Sequence, residues 1–300
     1  MQIRPTALVL WLLAAFSAPA PAPAAACPDT PQRFEFFRLF APALGRSKDI
    51  WVYLPPGYDC VDQRYPAFYF NDGHDLFDWR PFAPDFDGDL AAEINQREGW
   101  YGSWRLGEQL VVAAAEGRLP PMIAVGVASD DGRRSGDLVP VPWGGAGEAR
   151  GVDYAIFVAR TLVPVIDRRF RTVADRRCRG IGGASLGGVS ALQIGLAHGN
   201  TFGMALVLSP VVGDPAIADW LTTAWDFHPV RDTRFLVDFD DDRVGRRDRD
   251  WFAAMVGAAG TGRQVDLTQT PGGRHWIDSW AERVVPALER LVGESCPAPR

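Results

Sequence analysis

The stretch Arg179-Gly-Ile-Gly-Gly-Ala-Ser185-Leu-Gly-Gly188 decides how this chain is read. An apolar strand, Arg179 to Gly183, runs into a helical pattern that continues from Leu186 through Val189, Leu192 and Ile194 to His198. Between them stands Gly183-Ala184-Ser185-Leu186-Gly187, a match to G-x-S-x-G. A strand-to-helix turn this tight strains the backbone and brings strand and helix close together, so the Ser needs neighbours without bulk. Gly183, Gly187 and Gly188 supply that room. The turn lifts the Ser185 hydroxyl out of the sheet and aims a helix N-terminus at it, where partial positive charge favours a developing oxyanion. The bland alternative is a glycine-rich βα turn with a capping Ser. The strand before it and the helix after it favour the nucleophile.

Working outward, strand patterns cover Arg33 to Phe40, Asp49 to Leu54 and Ala67 to Asn71, and Pro55-Pro56-Gly57 stops the second. Short apolar runs then alternate with helical stretches. The runs are Met122 to Val127, Arg179 to Gly183, Met204 to Leu208, Arg234 to Phe239 and Val265 to Thr270. The helices are Trp104 to Glu116, Asp153 to Asp167, Leu186 to His198, Trp251 to Ala259 and Trp280 to Val292. Near-continuous apolar strands between helices predict a mostly parallel sheet of about eight strands, covered by helices on both faces. Two excursions, Asp75 to Ser103 and Ser129 to Gly151, follow strands, where loops of an open parallel sheet build a site.

A Ser hydroxyl needs a base within hydrogen-bond reach. The chain has four His. His198 reads as a helix C-terminal residue and His228 as a loop residue before Pro229. His74 precedes the Ser. His275 follows the last strand and precedes the last helix, the place and order of the base in an α/β-hydrolase fold, where Ser, acid and His succeed one another. The acid should leave the strand Arg234 to Phe239, and Asp240-Asp241-Asp242 follows it. Asp241 is the first choice, with Asp240 and Asp242 next. The oxyanion donors are the N–H groups of Leu186 and of His74, the latter exposed by a turn at Gly73.

The stretches VYLPPGYD (52 to 59), RYP (64 to 66), NDGHDLFD (71 to 78), GASLGG (183 to 188) and GGRHW (272 to 276) together resemble the Putative esterase family. That family includes feruloyl and acetyl-xylan esterases, siderophore esterases, S-formylglutathione hydrolase and mycolyltransferases. The resemblance spans about residues 33 to 293 and implies an α/β-hydrolase fold and one catalytic domain over 27–300. It also implies a triad of Ser185, His275 and an acid near Asp241, with the His74 and Leu186 amides as the oxyanion hole. The chain departs from the family pattern at Val237-Asp238-Phe239, where a Gly-containing segment is common, and at His74, where Gln is common. Asp72, Trp104 and Trp276 are candidates for substrate contact, as are Trp79, Trp100 and Trp143 in the same loops.

The first 26 residues carry one charge, Arg4, then an apolar run Ala7 to Phe16 and a Pro/Ala spacer ending Ala24-Ala25-Ala26. This is the plan of a secretory signal, with an apolar run too short to span a bilayer. Export to the periplasm or medium is therefore expected. A lipid anchor on Cys27 is the alternative, disfavoured by the spacer and by Ala24 standing where a Leu is usual. The four Cys are expected to form Cys60–Cys178 and Cys27–Cys296. A net charge of −6 without a continuous basic face argues against nucleic acid.

These features predict a serine esterase acting on a small-molecule or carbohydrate-linked ester through an acyl-enzyme, with no cofactor and no metal. Asp85, Asp87 and Asp89 lack the Gly and terminal Glu of an EF-hand loop. An acyltransferase of the same fold and a binding protein that has lost catalysis are the alternatives.

Overall fold

Residues 30–77, 103–129, 132–144, 147–228, 232–260, 262–293 and 295–296 are described by a computed structural model. The expected signal segment 1–26, Cys27, Trp79, Trp100 and Asp85 to Asp89 lie outside these residues.

The eight strands are β1 (Arg33–Ala41), β2 (Arg46–Leu54), β3 (Ala67–Asn71), β4 (Ile123–Val127), β5 (Arg179–Ala184), β6 (Met204–Leu208), β7 (Arg234–Phe239) and β8 (Gln264–Gln269). They form one sheet in the order β1-β2-β4-β3-β5-β6-β7-β8. β1 and β2 pair antiparallel, as do β2 and β4, and every later pairing is parallel. This is the α/β-hydrolase arrangement read from the sequence, with β5 central and its exit end open for a site.

Helices cover both faces. Helix α1 (Leu106–Ala115) is followed by the short α2 (Arg134–Leu138). Next comes α3, built of Gly151–Phe157, a π-helical turn Val158–Leu162 and Val163–Arg169. The π turn has a cause: Pro164 lacks an N–H and would clash with the carbonyl four residues back, so the helix widens there and Val163 N–H bonds Val158 instead. Helices α4 (Leu186–Ala197), α5 (Pro215–Phe227), α6 (Arg243–Ala259) and α7 (Ile277–Val292) complete the set. On one face α1 and α7 pack against Phe68, Phe70, Leu206 and Leu236. On the other, α3 to α6 pack against Tyr69, Ile181, Val207 and Val237. Each fully buried aliphatic or aromatic side chain is worth about 1.5–3 kcal/mol, and two such layers stabilise the sheet.

Three helices differ from expectation, beginning with the short α2, which lies within the excursion Ser129 to Gly151. The α5 helix was not anticipated, although Asp214 caps it through Ala216 and Ile217 N–H and Pro215 opens it. The α6 helix starts eight residues before Trp251, because Asp242 accepts from Gly245 N–H and begins it within an arginine-rich stretch.

Both expected disulfides are corrected. Cys178 pairs with Cys296. Helix α7 returns its C-terminal end to the entry of β5, and Cys178 sits buried in the turn before that strand. Cys60 is disulfide-bonded as well, but lies in the exposed turn after β2, with Thr30 Oγ1 3.1 Å from its sulfur. Among the described residues no helix is long and apolar enough to cross a membrane.

Candidate active site

Ser185 stands between β5 and α4 at φ 57°, ψ −124°. This left-handed conformation is strained for a residue with a side chain and persists only because its surroundings enforce it. The turn has no space to relax. A Cβ on Gly183 would lie 2.5 Å from Gly187 O, and one on Gly187 would lie 2.8 Å from the Asp72 carboxylate. Gly183 is thus required by backbone-to-backbone approach, and Gly187 by the nearness of the Asp72 side chain.

The His275 ring bridges Ser185 and an acid. Its Nε2 is 2.9 Å from Ser185 Oγ, and its Nδ1 is 2.8 Å from Asp240 Oδ2. The imidazole is part-exposed, open to a substrate, while Asp240 is only 3% exposed. The other Asp240 oxygen accepts from Ser209 Oγ at 2.5 Å and from Arg283 Nη2 at 2.8 Å. Burial pushes the Asp240 carboxyl up. The hydrogen bonds from His275 and Ser209 and the Arg283 charge outweigh burial and hold it below the ordinary carboxylate range. Two other histidines, His198 and His228, follow helices. His198 follows α4, about 18 Å along the helix from Ser185. His228 follows α5, where its carbonyl accepts from Arg263.

The carboxylate against the imidazole is that of Asp240, not Asp241. Side chains alternate across a strand. Phe235, Val237 and Phe239 point into the layer under α3 to α6, so Leu236, Asp238 and Asp240 point to the other face, where α7 and the His275 loop lie. Asp241 falls on the exposed side and accepts from Arg246 Nη1 at 2.9 Å and Gly272 N–H at 3.1 Å. Asp242 caps α6.

The turn after β3 comes alongside the first turn of α4. Asn71 Nδ2 donates to Gly187 O at 2.7 Å, and Asn71 Oδ1 accepts from Tyr154 Oη at 2.8 Å. Asp72 sits at φ 57° and Gly73 packs on Gly126 of β4 so closely that a Cβ would strike its carbonyl carbon. His74 follows in a single 3-10 turn, Gly73–Asp75. Leu186 opens α4, so its N–H belongs to the first-turn donors that have no acceptor within the helix.

The three substrate-contact candidates fare differently. Trp276 caps the start of α7 beside His275 with 47% of its surface exposed. Trp104 does not face the site. It is 3% exposed and packs edge-on against Phe70 in the core. Trp143, too, is partly buried against the core. Asp72 is buried as well, and its carboxylate is already engaged. It accepts from Arg134 Nε (2.7 Å) and Nη2 (2.8 Å) and from Ser129 Oγ (2.5 Å). Burial would raise its carboxyl, but the Arg134 charge and these bonds more than offset that and lower it. Asp72 therefore braces the His74 turn through these bonds. Arg134, Ser129, Ser209 and Arg283 are not singled out by the sequence, and Asp238 stands out there only as a departure from the family pattern. A charged Asp238 inside an apolar strand was the one local signal that a buried partner existed.

Among the described residues no group of three or more His, Cys, Asp or Glu is placed to hold a metal ion.

A serine at a strand-to-helix elbow, an imidazole and a buried carboxylate on an eight-stranded α/β-hydrolase sheet define a class of hydrolases built on this fold. Within that class the match is specific: residues 41–238 fit the model of the Putative esterase family, and the chain belongs to that family. A ferulic acid esterase superposes with a TM-score of 0.65 at 19% identity, covering 88% of this chain and 99% of that one. The enterobactin esterase of Shigella flexneri gives 0.66 at 18% identity, covering 90% and 62%. An S-formylglutathione hydrolase from Staphylococcus aureus gives 0.59 at 14%, covering 88% and 97%. At these identities the likeness is one of fold. The Bacillus subtilis protein YbbA is 25% identical over 158 residues, covering 51% of this chain, which spans about half of that relative's length (52%).

Proposed function

We propose that this protein is a serine esterase that hydrolyses a carboxylic ester through an acyl-enzyme formed on Ser185. The observation that carries the reading is the unbroken hydrogen-bond chain from Ser185 Oγ through His275 to Asp240. His275 Nε2 takes the Ser185 proton as Oγ attacks the ester carbonyl carbon. Asp240 holds the Nδ1–H tautomer and stabilises the imidazolium that forms. The carbonyl oxygen, now an oxyanion, lies between the N–H groups of His74 and Leu186. Collapse of the intermediate expels the alcohol, which receives the proton from His275. Water, deprotonated by His275, then attacks the acyl-enzyme carbonyl; collapse breaks the bond to Ser185 Oγ, which takes the proton back from His275 as the acid leaves.

Trp276 forms an apolar wall for the acyl or alcohol group. Aryl, feruloyl, acetyl-sugar and siderophore esters are the substrates to try, by analogy with the family and its ferulic acid and enterobactin esterases. The Cys178–Cys296 bond is compatible with an exported protein, which the signal-like residues 1–26 also support.

The test is labelling of the purified protein with a fluorophosphonate, followed by turnover of a panel of those esters. Labelling at Ser185 that Ser185→Ala abolishes, together with turnover of at least one ester, is expected. A protein that neither labels nor turns over any of them would overturn the reading.

A further inference from the structure

Behind the triad lies a second buried carboxylate that the reaction above leaves idle. Asp238 is 3% exposed inside β7, between the core residues Val237 and Phe239. A buried charge needs partners. Those of Asp238 are Thr268 Oγ1 (2.8 Å), Thr270 Oγ1 (2.9 Å) and Arg283 Nη1 (2.8 Å). Arg283, itself buried on α7, directs its Nη2 at Asp240 Oδ1 (2.8 Å), Ser209 Oγ (2.9 Å) and Arg274 O (3.2 Å), and its Nε at Ser279 O (3.0 Å). One guanidinium thus clamps both carboxylates and the carbonyl next to His275. Ser209, in the left-handed region at φ 45°, also accepts from Trp280 Nε1 (2.9 Å). The Trp280 ring stands edge-on to His275, 5.1 Å between centroids.

We propose that Arg283, balanced by Asp238, is the positioning residue of the triad acid. It fixes the orientation of Asp240 and leaves the buried cluster with one net negative charge for His275 to neutralise when it accepts the serine proton. This rests on the triad assignment above. The charge count explains why two carboxylates are present. Asp240 paired with Arg283 alone would form a neutral cluster and offer the imidazolium little net attraction. Two carboxylates without Arg283 would hold the imidazolium so firmly that returning its proton would be slow. Stability does not supply the reason, because a buried ion triad is often no more stable than apolar packing of the same volume.

Other charged groups surround the cluster. Arg274 pairs with Asp278, and Asp241 pairs with Arg246. Glu282 and Arg290 line the outer cleft behind Asp238, where Arg290 pairs with Asp266. Toward the His74 turn stand the Asp72–Arg134 pair and His74 beside Asp75. None of these changes in the variants below.

The experiment is the pH dependence of kcat/KM on p-nitrophenyl acetate for the wild type, Arg283→Met, Asp238→Asn, the double variant and Arg283→Lys. The acid limb reports the essential base of the free enzyme. Arg283→Met removes a positive charge, so the limb should move to higher pH, by about 1–2 units for a charge at this range. Its plateau kcat should fall roughly tenfold or more as Asp240 loses its clamp. Asp238→Asn removes a negative charge, and the limb should move to lower pH. The double variant should return the limb to the wild-type position with a reduced plateau, and Arg283→Lys should keep the limb near the wild-type position. A clamp that acts only through packing would not produce opposite shifts that cancel. Limbs that stay put, or that move in the same direction in the two single variants, overturn the proposal. If Arg283→Met does not fold, Asp238→Asn decides alone, and a limb that is unmoved or moves upward refutes it. A wild type without Ser185 labelling or ester turnover would remove the triad itself, whereas an active enzyme with unmoved limbs removes only the role of Arg283.

Discussion

Substituting Asp240 by Asn tests the acid assignment most directly, because the surrounding bonds dictate how the amide must sit. Asp240 Oδ1 receives Ser209 Oγ and Arg283 Nη2, both donors toward it. An Asn at 240 would keep its carbonyl oxygen there and turn its NH2 toward His275 Nδ1, 2.8 Å away in the wild type. Nδ1 must then accept, so the imidazole proton moves to Nε2, the atom 2.9 Å from Ser185 Oγ. In that tautomer His275 cannot take the serine proton. A wrong tautomer in a Ser-His-Asp triad costs about 10⁴ in kcat, or about 5.4 kcal/mol of transition-state stabilisation. Asp241→Asn is the control. It loses only surface contacts to Arg246 and Gly272, so activity should stay within a few-fold of wild type. Steady-state hydrolysis of p-nitrophenyl acetate measures both, with circular dichroism and thermal melts to confirm that each variant folds. Equal losses in the two variants, or an Asp240→Asn enzyme within tenfold of wild type, would refute the assignment.

Gly183→Ala places a methyl 2.5 Å from Gly187 O, backbone against backbone, so the elbow must open. Stability should fall by roughly 1–3 kcal/mol in urea titration, and fluorophosphonate labelling should slow sharply. Cys178→Ser with Cys296→Ser opens a link between residues 118 apart. A stability loss of about 2–4 kcal/mol is expected by denaturant titration, with retained turnover because the bond lies at the entry ends of the strands. Asp72 has a lowered folded-state carboxyl, so its contribution is present above the unfolded carboxylate range and fades as pH falls through the lowered value. Acid unfolding followed by tryptophan fluorescence should be less steep in Asp72→Asn, which starts from a lower neutral-pH stability; an unchanged acid slope would contradict this. Trp276→Ala should raise KM for an aromatic acyl ester several-fold, by roughly 1 kcal/mol of lost ring contact, with a smaller change for an acetyl ester. Equal effects on both esters would place the ring outside the acyl site.

The parts of the molecule legible in the sequence are those whose cause is local. Apolar runs between helical stretches predicted every strand to within a few residues, most sharply β3, β4 and β6, where every side chain is buried. Ser185 could be read because its backbone conformation demands glycine at fixed neighbours, and His275 because the chain order of the fold places it after β8. Failures occurred where a residue's role depends on a partner distant in sequence. Cys178 was paired wrongly because the path of residues after α7, which brings Cys296 back to β5, has no signature in the residues around either Cys. Trp104 looked like a cleft aromatic because it follows a long excursion, yet only the packing of α1 on Phe70 decides that it is core.

The acid is the instructive case, since the strand parity that locates it is present in the sequence. Three consecutive Asp invite a choice of the middle one, but the strand ahead of them sets the parity. With Phe235, Val237 and Phe239 on the face toward α3 to α6, the alternate positions 236, 238 and 240 must face the side on which α7 packs. Asp238 marks that parity with a charge that an apolar strand tolerates only beside a buried partner, and Arg283 is that partner. Parity carried one residue past the end of β7 selects Asp240, puts Asp241 in solvent, and leaves Asp242 where a helix cap is needed. The position of the acid and its Arg283 partner therefore have one origin: the buried charge of Asp238 in β7 marks which way the strand faces.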